Sequence, residues 1–259
     1  MDEDVKNIDP NTKFFTAYMQ KVILMPKLTV KECFFSRKLV LFNETFVSPG
    51  KNQPAYCILW HEGESGRNAY NVASAKFSKL NIKTIRIVYL EPGHTYMAAD
   101  AVHANISMKL AQNKNIYDKN DFTQKIKESR KNLDVLEITH QDMIIFKDDF
   151  KRVFPKEFKI TSLKIVEFRK GFQSIFLKKS YDDETFKEFP ALKPEVQTLF
   201  QEEKEDLFKS LKRETEPRGI RLAKKQELLK LCPCMPASRR RFFENLTVNE
   251  NAKDLDNVV

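Results

Sequence analysis

The sequence predicts an α/β fold: a mixed sheet of about four strands flanked by helices, then a hairpin and a basic helical appendage. Three observations predict it. Three β-rich runs come first, joined by short turns. A helical period of three- and four-residue spacing follows. A further β-branched run then leads into more helices, the succession that lays helices against a sheet.

Residues 1–13, opening "MDEDVKNIDP", are polar and read as a flexible arm. "AYMQKVILMP" is a strand that Pro26 ends, because proline has no N–H for a ladder. "RKLVLFNETFV" is the second strand, "SPGKNQP" a turn, and "AYCILW" the third strand of an antiparallel meander. In "SGRNAYNVASAKFSKL", Tyr70, Ala73, Phe77 and Leu80 share one helix face, with Ser65 as candidate N-cap. "KTIRIVYL" (Lys83 to Leu90) is a fourth strand. Val102, Ile106 and Leu110 set a helix over Ala98 to Asn113. "DFTQKIKESRKN" is another, its first-turn aspartate suited to the positive end of the helix dipole.

"DVLEIT" is a short strand and "HQDMIIFKDDF" a short helix. The core is thus placed at 14–150. From 151 to 246 comes the appendage. It holds a hairpin of "ITSLKIVEFRK" and "FQSIFLKKSY" around Gly171, a charged helix in "PEVQTLFQEEKEDLFKSLKRE", and a basic helical pair broken at Pro233 and Pro236. Residues 247–259 read as a disordered tail. A three-stranded meander, a helix, then a strand followed by helices is the opening of an RNase H-like fold.

Of 259 residues, 41% are hydrophobic and 31% charged, enough apolar content for a core. The net charge of +9 suits a polyanion such as DNA or RNA, and equally a solvated lysine-rich surface. Cys33, Cys57, Cys232 and Cys234 are too scattered for a disulfide framework, and Cys232-Pro233-Cys234 is too tight for a zinc pair. The expected setting is reducing and intracellular, nuclear or cytoplasmic. The acidic start is no signal peptide, and no apolar run reaches the ~18 residues of a membrane span, so no membrane partner is expected.

Several stretches resemble a transposon-derived family common in insects and other animals, itself similar to RNase H-like (DDE-type) transposases. They are "MQKVILMPKL", "KLVLFNETFV", "YCILWHEGESGRNAYNVAS", "EPGHTYMAADAVH" and "LAKKQELLKLC…MPASRRRFFENL", in order from about Ala17 to Leu246. The "WHEGESGR" and "GHTYMAADAVH" pieces are the specific ones. Family members carry an aspartate just before "MQKV"; here that place is Tyr18. They also carry an acidic strand reading roughly "S-D-N-C-x-x-Q-N-x-N" and a helix ahead of the "GHT" piece. Here Leu80 runs directly into "NIKTIRIVYLEPGHT". Asp100 alone stands where the resemblance puts an acid.

Two-metal phosphoryl transfer needs carboxylates from separate strands converging on ions ~4 Å apart. One carboxylate cannot do this, so the expectation is a catalytically inactive pseudo-enzyme with no cofactor. Mg²⁺ enters only if an enzyme survives, with Asp100 joined by Glu62 or Glu64. The sequence is also compatible with a protein-interaction remnant or an incomplete gene model.

Asp100 and His94 are thus remnant candidates. Asp100 can equally serve as a first-turn helix acid, and His94 can bond backbone beside Gly93. His103, one turn after Asp100, can pair with it. Glu62 and Glu64 can cap the helix after Ser65; Trp60 and Phe77 read as core. Lys224, Lys225, Arg239, Arg240 and Arg241 are the candidate nucleic-acid contacts, sequence-independent because no reading motif accompanies them. If the sheet closes over the missing unit, "KTIRIVYL" pairs with "YMQKVIL". The order becomes 3-2-1-5, with Ile85 and Val88 beside Val22 and Leu24 and Asp100 facing Tyr18.

Overall fold

The computed structural model describes residues 15–48, 53–67, 84–89, 97–143, 162–169, 174–190 and 213–255. They fall into two units: 15–48, 53–67, 97–143 and 213–255 make the first, and 84–89, 162–169 and 174–190 the second. The fold is mixed α/β.

In the first unit, β1 (Thr16–Met19) and β2 (Ile23–Met25) lie end to end along one edge of β3 (Leu39–Val47), both antiparallel to it. Tyr18 pairs with Thr45 and Ile23 with Leu41, so the first strand holds one residue more than its partner between those pairings. This bulge interrupts what the sequence reads as one strand and leaves Lys21 in solvent. α1 (Lys31–Phe35) follows β2 and reaches the core through Cys33. β4 (Ala55–His61) pairs with the other edge of β3. The next strand, β5 (Thr84–Val88), belongs to the second unit. β6 (Leu133–Glu137) returns to run parallel to β4.

Alternation sorts the central strands. Leu39, Leu41, Val47, Cys57 and Leu59 face one way; Val40, Phe42, Ile58 and Trp60 face the other. Both faces are apolar, so both must be covered. On the first lie α2 (Ala98–Gln112) and α3 (Lys119–Lys127), through Val102 and Ile106, and Phe122 and Ile126. α4 (Leu222–Leu231) and α5 (Ala237–Glu244) join them through Leu228, Leu231 and Phe243. On the second face Ile138, Met143 and Leu255 pack around Trp60, whose Nε1 donates to the Gly66 carbonyl at 3.0 Å. Burying a side chain such as Trp60, Phe42 or Phe243 contributes about 1.5–3 kcal/mol each.

The second unit is an antiparallel sheet in which β5, β7 (Ile165–Arg169), β8 (Ser174–Lys178) and β9 (Lys187–Pro190) pair in that order. Buried Glu167 lies between Arg86 and Arg169, at 2.6 Å from each.

Several expectations are corrected. The strand order is not 3-2-1-5. The first strand is at an edge, and the parallel neighbour, "DVLEIT", adds to the third strand. "KTIRIVYL" does not close against the first strand: Ile85 pairs with Phe168 and Val88 with Ile165. Side-chain chemistry explains both. β4 is apolar on both faces and needs shielding, whereas the bulged first strand carries Lys21 and tolerates an edge. β5 carries Arg86 at its centre, which suits pairing with Glu167 and not a buried parallel site. The basic helices belong to the first unit and pack on its core. Residues 247–255, read as tail, are ordered: Val248 bridges Ile220, and Ala252 is buried. The arm at 1–13, the helix over 68–80 with Phe77, the turn at Gly171 and the charged helix over 194–212 lie outside the described residues.

The ordered end crosses the turn after β4. Arg218 N donates to Glu64 O at 3.1 Å, Gly219 N to Gly63 O at 2.8 Å, and Ile220 N to Thr247 O at 2.9 Å. Gly219 has φ +73°, and a Cβ there would stand 2.8 Å from Asn249 Cβ. Gly219→Ala is expected to cost at least about 1–2 kcal/mol from the left-handed backbone alone. A urea midpoint equal to wild type would contradict this packing.

Candidate functional site

The resemblance directs attention to Tyr18 and the helix that carries Asp100. The fold brings them together, but not as a metal site. Asp100 sits in the first turn of α2, where its Oδ2 accepts from Met97 N at 3.0 Å, the helix-end role. One turn on, His103 stacks on the Tyr18 ring at 5.8 Å and 29°. Burial pushes the His103 imidazole below its ordinary range, against the pull of Asp100. It is His103, not Asp100, that meets Tyr18. Nearby, Asn43 Nδ2 donates to Gln20 Oε1 at 2.8 Å. A cavity of about 500 Å³ lies between the bulged edge and α2, lined by Gln20, Lys21, Lys27, His103 and Ser107 among others. His94 lies outside the described residues.

Glu62 and Glu64 are elsewhere. Tyr18 stands opposite Thr45, while Glu62 N bonds Val40 O. Five residues of β3 separate those points, about 16 Å at ~3.3 Å per residue. Asp100 lies a further helical turn away, because α2 meets Lys27 at Leu110 and Gln20 at Ser107. Carboxylates so placed cannot clamp two ions ~4 Å apart. Among the described residues no group of three or more His, Cys, Asp or Glu side chains is placed so that it could hold a metal ion.

Glu62 is instead the anchor of a buried ion pair. Its side chain and that of Lys224 are 1% and 0% exposed, with Nζ and Oε1 2.6 Å apart. The same carboxylate accepts from Val40 N at 2.9 Å and Leu255 N at 3.2 Å. Lys224 is therefore withdrawn from the nucleic-acid contacts: an ammonium enclosed in the core cannot reach a phosphate. Lys225 Nζ donates to the carbonyls of Glu244 and Leu246, both at 2.7 Å, and so satisfies the end of α5. Arg239 pairs with Asp118 at 3.4 Å and Asp121 at 2.5 Å. Arg240 donates to Met235 O at 3.1 Å. Arg241 is exposed, and its side chain makes no polar contact among the described residues.

A second cluster escaped the sequence reading. Glu64 Oε2 accepts from His140 N at 2.9 Å and lies 2.7 Å from His140 Nδ1, while Oε1 lies 3.5 Å from His61 Nε2. One carboxylate thus bridges two imidazoles where β4 and β6 end. Burial lowers the His61 pKa to about 4, against the pull of Glu64, so His61 is neutral at pH 7. Burial pushes Glu64 up, but the His140 hydrogen bonds and the two histidines outweigh it and hold the carboxyl below its usual range. "WHEGE" shows half of this cluster; His140 lies 76 residues on, at the end of a strand whose neighbour sequence does not declare.

Comparison with known proteins identifies no family: no family model, curated protein or solved structure matches the chain.

Lys224→Met leaves Glu62 buried without its cation and is expected to cost about 3–5 kcal/mol in urea unfolding. Glu62→Gln combined with Lys224→Met recovers most of it; a double variant as weak as the sum of its singles would show that the two groups do not interact. The histidine cluster adds a pH dependence. Between pH 6.5 and 4 the unfolded chain binds a proton that folded His61 does not. Stability is full above pH 6.5 and falls as pH drops through that window, by up to about 1.4 kcal/mol per unit. Depressed Glu64 adds to the loss below pH 4.5. Thermal melts of His61→Gln should show a shallower slope from pH 6.5 to 4.5. An unchanged slope would show that His61 does not set it.

Proposed function

We propose that this chain is a catalytically inactive, transposon-derived protein with a degenerate RNase H-like core, which binds DNA or RNA weakly and without sequence preference. The single observation that carries the first half is the Tyr18–His103 stack. The helix bearing Asp100 packs against the first strand, yet the phenol that stands in place of the first carboxylate meets the His103 imidazole and not Asp100. The β1–β3–β4 meander also fits that ancestry; the core is read as degenerate because the acidic strand–helix unit is missing from the sequence, and the place of the parallel strand departs from the expected order as well. The second half rests on the +9 charge. With Lys224 buried, and Lys225, Arg239 and Arg240 committed to internal contacts, affinity comes from Arg241 and dispersed surface cations. Diffuse charge attracts phosphate without reading bases.

Fluorescence anisotropy with unrelated labelled oligonucleotides tests this. Expected is weak binding at low salt, equal across sequences and lost steeply as salt rises. No binding at low salt, or salt-insensitive binding, overturns it. With Mg²⁺ or Mn²⁺ no cleavage is expected, and Tyr18→Asp alone should not create any. Cleavage that Asp100→Asn abolishes would establish a nuclease instead.

A further inference from the structure

We infer that the cavity between the bulged edge and α2 binds a small organic monocarboxylate, a hydrocarbon body carrying one negative charge. This goes beyond the polyanion reading and does not rest on it. The cavity holds about 500 Å³, within the roughly 300–1,000 Å³ of small-molecule sites, and all of its lining belongs to the first unit. The bulge builds it. Gln20 N still bonds Asn43 O at 2.9 Å and Ile23 pairs with Leu41, so the extra residue falls at Lys21–Val22. Successive residues of a regular strand face opposite ways, and in an unbroken ladder Lys21 would share the face of Phe42, away from α2. With the bulge, Gln20 and Lys21 line the same cavity.

A buried donor there is under-used. Gln20 is 6% exposed. Its Oε1 accepts from Asn43 Nδ2 at 2.8 Å, which leaves the amide nitrogen to face α2. Nε2 lies 3.5 Å from His103 O and 3.5 Å from Ser107 Oγ, both beyond the roughly 3.2 Å reach of an ordinary N–H···O bond. A buried amide so weakly met keeps most of its desolvation cost, which an acceptor in the cavity would offset. The Ser107 hydroxyl, exposed on α2, donates to no acceptor among the described residues. Gln20 and Ser107 thus present two neutral donors to one space.

Charge sets the ligand's sign and size of charge. The lining includes Lys21 and Lys27 and, among the described residues, no carboxylate. Asp100, on the turn before His103, lies outside the lining and accepts from Met97 N. Lys27 Nζ is engaged by the carbonyls of Leu110 and Ala111, where it closes the negative end of α2. Burial keeps the His103 imidazole neutral at pH 7. One ammonium is left: Lys21, exposed and without an ion pair among the described residues. A single free cation beside two neutral donors matches one carboxylate; a dianion would leave half its charge unmatched. Ile23, Ala104 and Leu110 give the hydrocarbon body an apolar wall.

The test is calorimetric titration of the full chain with hexanoate, with backbone amide shifts to place the ligand. Hexanoate should bind with a Kd below about 10 mM and shift the amides of Lys21, Ala104 and Ser107. Acetate, without the hydrocarbon body, should bind at least about 10-fold more weakly. Hexanol and hexylamine, without the negative charge, should bind roughly 10- to 100-fold more weakly. Lys21→Met should weaken hexanoate binding about 10-fold or more, whereas Lys31→Met, an exposed lysine outside the cavity, should not change it. Ala104→Trp fills the cavity and should abolish binding. Lys21 and Ala104 are exposed, so both variants should keep the wild-type melting temperature. Absence of hexanoate binding, shifts confined to other parts of the chain, equal binding of hexylamine, or a Lys21→Met variant that binds as wild type does would each overturn the assignment. Hexyl phosphate binding about 10-fold more tightly than hexanoate would make the ligand a phosphate monoester and overturn the monocarboxylate.

Discussion

The Glu62–Lys224 ion pair is the contact on which the first unit depends. Two charges enclosed in the core cost several kcal/mol each to desolvate, and that cost is offset only if every lone pair finds a partner. Glu62 finds them in Val40 N, Leu255 N and the Lys224 ammonium. Those groups come from the start of β3, the ordered end of the chain and α4. Arg218 adds a fourth segment by donating to the Glu62 carbonyl at 2.9 Å. One carboxylate thus fixes the C-terminal helices to the turn after β4, and the sheet's helical face is completed by residues more than 150 positions away in sequence.

This fixes the role of the basic helices. "LAKKQELLKLC" and "PASRRRFFENL" suggest a charged surface awaiting a polyanion, but their cations mostly serve the fold. Lys224 neutralises a buried acid, Lys225 satisfies carbonyls at the end of α5, and Arg239 meets the first-turn acids of α3. The same reassignment holds for the carboxylates. Asp100 begins a helix, Glu62 pairs in the core, and Glu64 bridges two histidines. Each of these groups that phosphoryl transfer or phosphate binding would claim already has a structural partner, so the function proposed for the chain rests on the surface charge that remains.

Much of the fold was legible where periodicity reports burial. The meander, the helix from Ala98 and the strand of "DVLEIT" follow from alternation and from three- and four-residue spacing. What escaped was pairing between distant segments. Nothing local in "AYMQKVILMP" marks the extra residue that splits it, because the bulge exists only relative to β3. "KTIRIVYL" and "DVLEIT" both read as strands; which edge each joins depends on the partners of Arg86 and on the need of β4 for cover. At the site, residue types were readable and their assignments were not. Lys224 looks like any helix lysine until Glu62, 162 positions earlier, is placed 2.6 Å from it.

Through Glu62, the C-terminal segment and the sheet form one cooperative body. Native-state hydrogen exchange of the wild-type chain tests this directly at Val40, Gly219 and Leu255, whose amides bond across that junction. If the body is cooperative, all three exchange only through the same opening, with one free energy equal to that of global unfolding of the unit. If Gly219 and Leu255 exchange orders of magnitude faster than Val40, the C-terminal segment opens alone. The buried pair would then not be what holds the unit together.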